Sequence, residues 1–385
     1  MTNRLLGCGI SCLAAALLVA AAPPPPARAE PVGELLTRLQ GLYQQAEEAA
    51  EAYNAAEVAL KARRAEEAQL TSALGRARSA LDSERATAGR LAREQYQGAQ
   101  GGGLSPYLRM LLSGDPQQAL DQRRLAAREG ARRAGVVARL ERDREQARTL
   151  ADAARKALDA QQGLAAQQRD AQRQVTGRLK EVERLLASLT PAELARLSSR
   201  EAAVTAGAQR TLVDSGRLPA RTTPPTAEGN AALRYATAQI GKPYVWGAEG
   251  PASFDCSGLT SQAWEHAGRP IPRTSQEQWA QLPRVPLDRL RPGDLVVYFP
   301  KATHVALYIG DGKVIQAPRP GARVKVSPIA ANPLLGAVRP DPDGTPLAHF
   351  TPPPLPEAAT TGDDSGYDAG YDAEEGPASS ATAAR

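Results

Sequence analysis

Asp255-Cys256-Ser257-Gly258-Leu259 and His304-Val305-Ala306-Leu307-Tyr308-Ile309-Gly310 are the two stretches whose reading decides the C-terminal fold. Asp255 is a good N-cap for a helix running to about His266, with Gly268 beyond it. Cys256 then takes the first helical position. A thiol there meets unpaired backbone N–H groups and the positive end of the helix dipole, and both favour the nucleophilic thiolate. His304 opens a strand, Gly310-Asp311-Gly312 makes a turn, and Lys313 to Ala317 returns. If Ile309 pairs with Lys313, His304 lies opposite Pro318 and diagonal to Gln316. A side-chain period of two puts His304 and Gln316 on one face. Val305, Leu307, Ile309 and Ile315 take the other face and enter the core.

This is a three-part constellation for nucleophilic catalysis. Cys256 is the nucleophile, His304 the general base and later the acid, and Gln316 the acceptor that fixes the imidazole. The chain has three histidines. His349 lies in the tail and His266 at the far end of the cysteine helix, so His304 is the candidate base. Of three cysteines, Cys8 and Cys12 fall in the leader, leaving Cys256 without a partner for a disulfide. A structural zinc site would need more thiols, and no cofactor is expected.

Five motifs in order carry a resemblance: Pro243-Tyr244-Val245-Trp246-Gly247, Asp255 to Leu259, Arg273-Thr274-Ser275, Arg291-Pro292-Gly293-Asp294-Leu295, and His304 to Gly310. Together they resemble the NlpC family of papain-like cell-wall endopeptidases, over roughly 228–340, under a third of the chain. The resemblance implies an α+β domain in which a helix carrying the cysteine packs on a small antiparallel sheet carrying the histidine. It implies hydrolysis of peptidoglycan stem peptides, commonly between D-glutamate and diaminopimelate. It further implies that the Tyr244 hydroxyl lies near the thiol, and that Asp255 and Ser257, with Arg273, help hold the substrate. The family's third polar residue is often His; here it is Gln316, a neutral orienter that still offers an amide oxygen to the imidazole.

Outward from this domain the composition changes. Residues 30–210 are rich in Ala, Leu, Arg, Glu and Gln, strong helix formers. Leu35, Leu39, Leu42, Ala46, Ala49, Tyr53, Ala56 and Leu60 alternate by fours and threes, and the phase resumes at Leu70 and runs to Leu91. That heptad seam predicts a coiled-coil arm. A Gly-rich break at 98–103 and the apolar run Leu104 to Leu112 precede a new helix start at Asp115-Pro116. Two antiparallel helices with a tip near 98–116, or a parallel dimer coil, both satisfy this pattern. The apolar tip is a candidate contact for a membrane division or wall-synthesis complex. A Pro-containing linker is expected over 211–227, then the catalytic domain over 228–340.

At the N-terminus, Arg4, the uncharged apolar run Leu5 to Ala22 and Ala27-Arg28-Ala29 read as a secretory signal peptide over 1–29. An uncleaved anchor and a weak lipobox at Leu5 to Cys8 are the other readings. An extracytoplasmic, wall-facing protein follows, with no nucleic-acid partner. The expected domain holds 13 Lys and Arg against 8 Asp and Glu, a net +5, whereas 341–385 holds 1 basic against 9 acidic residues, a net −8. That last segment is expected to be a disordered tail. Two rival functions use the same parts: a wall-binding scaffold that does not cut, and an acyltransferase or cross-linking enzyme using the same thiol.

Overall fold

The computed structural model describes residues 31–100, 116–221 and 223–359. The expected signal peptide, the expected apolar tip Leu104 to Leu112 and most of the expected acidic tail lie outside the described residues, whereas Gly98 to Gln100 of the expected Gly-rich break continue the first long helix. Among the described residues no helix is long and apolar enough to cross a membrane.

Two long helices, α1 (Val32–Gln100) and α2 (Pro116–Ala187), dominate the N-terminal half. Leu35, Leu39 and Tyr43 pack with Val182 and Leu186, whereas Ala77 and Leu81 pack with Ala147. Further along, Glu84 reaches Arg139. Positions rise along α1 as they fall along α2, so the pair is antiparallel and formed within one chain. Most Ala and Leu positions of the seam are buried, Leu35, Leu39, Ala46, Ala49, Ala56 and Leu60 among them, with Leu42, Leu70 and Leu91 half-buried, which is why such a polar helix is stable at all.

A third helix, α3 (Pro191–Asp214), starts at a capping box. Thr190 accepts from the Glu193 N–H, and the Glu193 side chain accepts from the Thr190 N–H, with Pro191 at the first position. It runs beyond the expected arm boundary at 210 and docks on the C-terminal domain. Gln209 donates to the Gly312 carbonyl and accepts from the Ala330 N–H, and Leu212 enters the core.

The domain contains α4 (Ala227–Ala238), α5 (Cys256–His266), α6 (Ser275–Gln281) and a six-stranded antiparallel sheet. Its strands are β1 (Arg284–Val285), β2 (Leu295–Tyr298), β3 (His304–Gly310), β4 (Lys313–Gln316), β5 (Lys325–Pro328) and β6 (Leu334–Val338), in spatial order β1-β6-β2-β3-β4-β5. Alternation divides two cores. Leu295, Val297, Val305, Leu307, Ile315 and Val338 face α4 and α5, with Phe254, Leu259 and Trp264. Val296, Tyr298, Ala306, Tyr308, Val314 and Ala337 face the other way, where Leu212 of α3 helps to cover them. Both faces of the sheet are therefore buried, which explains strands with so few polar residues.

The chain beyond Pro340 differs from expectation. Asp341 is buried, ion-paired to Arg291 at 2.9 Å and hydrogen-bonded by Thr226, the N-cap of α4. The Leu347 N–H reaches the Pro225 carbonyl, and Ala359 is buried in the core. The folded unit thus extends at least to Ala359. A boundary drawn from charge and proline content misses a clasp made by one buried ion pair.

Candidate active site

Asp255 caps α5 by accepting from the Gly258 N–H at 2.6 Å, which sets Cys256 at the first helical position. Gly258 has a steric reason to be glycine: a Cβ there would lie 2.2 Å from the Ala248 carbonyl oxygen. The loop carrying Tyr244 and Trp246 can therefore close over the helix start. Cys256 is a buried free thiol, and the backbone of Val305, second residue of β3, hydrogen-bonds to it. The Cys256 thiol thus sits beside the first residues of the histidine strand.

His304 is fully buried, and its Nε2 lies 2.7 Å from Gln316 Oε1. An amide oxygen only accepts, so Nε2 carries the proton and Nδ1 is the basic atom. The pairing register of β3 and β4 is Leu307 with Ile315 and Tyr308 with Val314, with a bulge before Gly310. Gln316 therefore shares a face with His304. Nδ1 is buried without a hydrogen-bond partner among the described residues.

The remaining expected residues gather around the thiol. Tyr244 is buried, and its hydroxyl is held well above the usual range by burial, then by the Cys256 and Asp255 charges. Arg273 forks onto Asp255, Nη1 to Oδ1 at 3.1 Å and Nη2 to Oδ2 at 2.7 Å, and donates to Ser257 Oγ at 2.8 Å. Its guanidinium is thereby occupied in holding the cap of α5 rigid. Glu51, Asp255 and Cys256 bring ligand-type atoms within 4.8 Å of one another. The Asp255 oxygens, however, already accept from Arg273, Gly247 N–H and Gly258 N–H, which leaves them poorly disposed to ligate a cation.

Three further residues at the site come from α1, and the sequence reading misses them. Glu51 Oε1 accepts from Ser257 Oγ at 2.7 Å and lies 3.9 Å from Cys256 Sγ, while Oε2 accepts from the Ser275 N–H at 2.8 Å. Glu47 Oε1 stands 3.6 Å from His304 Nδ1. Asn54 donates to Asp255 Oδ2 at 3.1 Å. All three are buried. An open groove of about 1090 Å³ runs between α1 and the domain, lined by Glu57, Lys61, Gly247, Glu249, Ile271 and Arg273 among others. Neither Cys256 nor His304 lines it, because α1 lies over them.

This cover reverses the electrostatics expected of a helix-start thiol. Burial, then the charges of Glu51 and Asp255, push the Cys256 thiol well above its usual range. Burial pulls His304 down to about 4. Glu51 is raised to about 7, again by burial first and the Asp255 charge second, and burial likewise raises Glu47. With α1 in place the pair is thiol and neutral imidazole, not the thiolate and imidazolium that the helix dipole alone suggests.

A helix presenting a thiol beside a histidine strand on a small antiparallel sheet is the arrangement that the motif resemblance implies, and the comparisons name the family. Residues 241–335 match the family model for the NlpC/P60 family, so the C-terminal domain is an NlpC/P60 domain. A probable endopeptidase of Corynebacterium glutamicum is 46% identical over 119 residues, 31% of this chain and 56% of that protein. The chain spans about half the length of the first curated relatives it matches. Among solved structures, the NlpC/p60 domain of the peptidoglycan hydrolase SagA is 34% identical, covering 29% of this chain and 97% of that one, with a TM-score of 0.28. RipD of Mycobacterium tuberculosis, a non-catalytic NlpC/p60 protein adapted to peptidoglycan binding, is 31% identical, covering 29% and 96%, with a TM-score of 0.27.

Proposed function

We propose that this chain is a secreted peptidoglycan endopeptidase that cuts amide bonds in wall stem peptides, with the long helical pair serving to regulate or target it. The observation that carries the reading is the fixed His304–Gln316 pair, 2.7 Å apart, at the start of the strand whose backbone touches the Cys256 thiol. Gln316 selects the tautomer in which Nδ1 accepts the thiol proton. The thiolate then attacks the amide carbonyl, and the imidazolium protonates the departing amine. Water, deprotonated by the same Nδ1, releases the acyl group from sulfur. The first backbone N–H groups of α5 are suited to the developing oxyanion. D-Glutamyl–diaminopimelate is the bond favoured by the family resemblance. The test is digestion of purified muropeptides by the full chain, read by mass spectrometry: new termini at one amide bond support the reading. Transfer products would favour an acyltransferase, and binding without any cleavage would favour a scaffold like the RipD protein.

A further inference from the structure

We propose that the connection between β2 and β3, residues 299–303, is a strained positioning device for His304, in which the left-handed backbone at Phe299 and Ala302 and the ring of Tyr298 together fix the height and tilt of the imidazole. The inference rests on the peptidase reading and deepens it, by naming what holds the base in place.

Among the described residues, three that are not glycine have a positive φ: Phe299 at 62°, Ala302 at 52° and Asp311 at 51°. Aspartate tolerates that region, because its short polar side chain bonds locally. Phenylalanine and alanine have no such compensation. Phe299 also precedes Pro300, which by itself pushes a residue towards negative φ and an extended backbone. Two of the three thus lie in the five residues that lead into His304.

The surrounding structure enforces this conformation. The Ala302 N–H donates to the Phe299 carbonyl at 2.9 Å and closes the turn, while the Phe299 N–H donates to the Pro333 carbonyl, also at 2.9 Å. Ala302 is buried in the core that faces α4 and α5, with Val305 and Leu307. Phe299 packs against the opposite core, with Val296 and Tyr308. The turn is therefore clipped to both faces of the sheet. It holds no glycine and one proline, so little freedom is left in it.

Tyr298, the last residue of β2, is the register partner of His304. Its ring stands 5.6 Å from the imidazole, centroid to centroid, at 45°. It restricts the tilt of that ring, while Gln316 Oε1 holds Nε2 at 2.7 Å. Stability alone would favour other residues here. The Tyr298 hydroxyl and Thr303 Oγ1 are buried without a hydrogen-bond partner among the described residues, a cost that phenylalanine and valine would avoid. Backbone strain persists where its neighbours over-determine it, and it gathers at sites whose geometry matters. What the turn secures is the bond to Gln316. A shift of His304 by about 1 Å would take that bond out of range and free the ring to exchange tautomers.

The test uses the full chain with its histidine nitrogens isotope-labelled for NMR; three histidines give few signals. Ala302→Gly relieves the backbone and removes only a methyl group. Its melting temperature should hold or rise, by up to about 4 °C. Its kcat for muropeptide cleavage should fall about tenfold, with KM within about twofold of wild type. The Nδ1 and Nε2 shifts of His304, set apart in wild type by the fixed tautomer, should draw together. Tyr298→Leu should show the same loss of kcat and the same convergence, and Tyr298→Phe, which keeps the ring, should restore most of both. A lower melting temperature in Ala302→Gly would show that packing and not strain governs the turn, and would overturn the device. Wild-type shifts and kcat in that variant, or a rise in KM alone, would overturn it as well. Converging shifts where no chain cleaves muropeptides, wild type included, would leave the positioning standing and sink the peptidase reading.

Discussion

The inner and outer parts of α1 share composition and heptad phase, yet they differ in what lies on their second face. Beyond Lys61 the helix buries only its seam against α2, and residues such as Arg64, Glu66 and Arg85 are exposed. Between Tyr43 and Asn54 the seam is buried as before, but so is a second stripe, Tyr43, Glu47, Ala50, Glu51 and Asn54. The same kind of residue, glutamate on a polar helix, is solvated in one region and buried against a thiol in the other. A heptad pattern thus reports the partner helix and is blind to a second surface rotated about a quarter-turn away.

Removing the Cys256 thiol, the proposed nucleophile, should have the largest effect. Cys256→Ala is expected to abolish cleavage while the melting temperature holds, since one small side chain is lost. His304→Ala should lose nearly as much, and the double variant scarcely more, because the two act as a unit. Additive losses in steady-state kinetics would argue that His304 is not the base. Second in size is the clasp at residue 341. Asp341→Ala leaves the buried Arg291 with only the Gly344 and Asp341 backbone carbonyls as partners and should cost about 3–5 kcal/mol of stability, read by denaturant unfolding with Asp341→Asn as the milder case. An unchanged unfolding midpoint would return residues 341–359 to the status of a tail. A smaller effect is expected at Gln316. Gln316→Ala should lower kcat by about tenfold and displace the pH profile, with Gln316→His restoring much of the rate; wild-type kinetics in the alanine variant would remove its orienting role.

The smallest effect concerns the buried Glu51. Glu51 rises from its ordinary carboxylate range to about 7 on burial. Its neutral form is therefore the one the fold prefers, so its contribution to stability is whole below about pH 4.5 and is lost as pH rises through about 7. His304, held at about 4 by burial, acts in the opposite sense below its unfolded value of about 6.5. Comparison with Glu51→Gln cancels that second effect. The melting temperature of wild type minus that of Glu51→Gln should fall from about pH 5 to about pH 8. A flat difference would show that Glu51 does not change its ionisation on docking.

Much of the site was legible before any coordinates. Asp255 as N-cap placed Cys256 at the helix start, and the period of two along β3 and β4 placed Gln316 beside His304. Both inferences depend on neighbours a few residues apart, where local rules hold. The α+β character and the two long helices were legible for the same reason. What escaped were contacts across long separations that no local pattern encodes. Glu51 meets Ser257 more than two hundred residues away, and a glutamate among glutamates carries no sign of burial. Arg273 read as a substrate ligand, and its fork onto Asp255 shows only in three dimensions. Asp341 looked like the first residue of an acidic tail because its partner, Arg291, sits inside a motif with a different apparent purpose.

The central claim is that Cys256 cuts a wall-peptide amide bond from beneath a helix that covers it. It is tested most directly by incubating purified muropeptides with wild type and the Cys256→Ala chain, and following the products by mass spectrometry. The account predicts cleavage at one amide bond by wild type and none by Cys256→Ala. Cleavage that persists without the Cys256 thiol would contradict it.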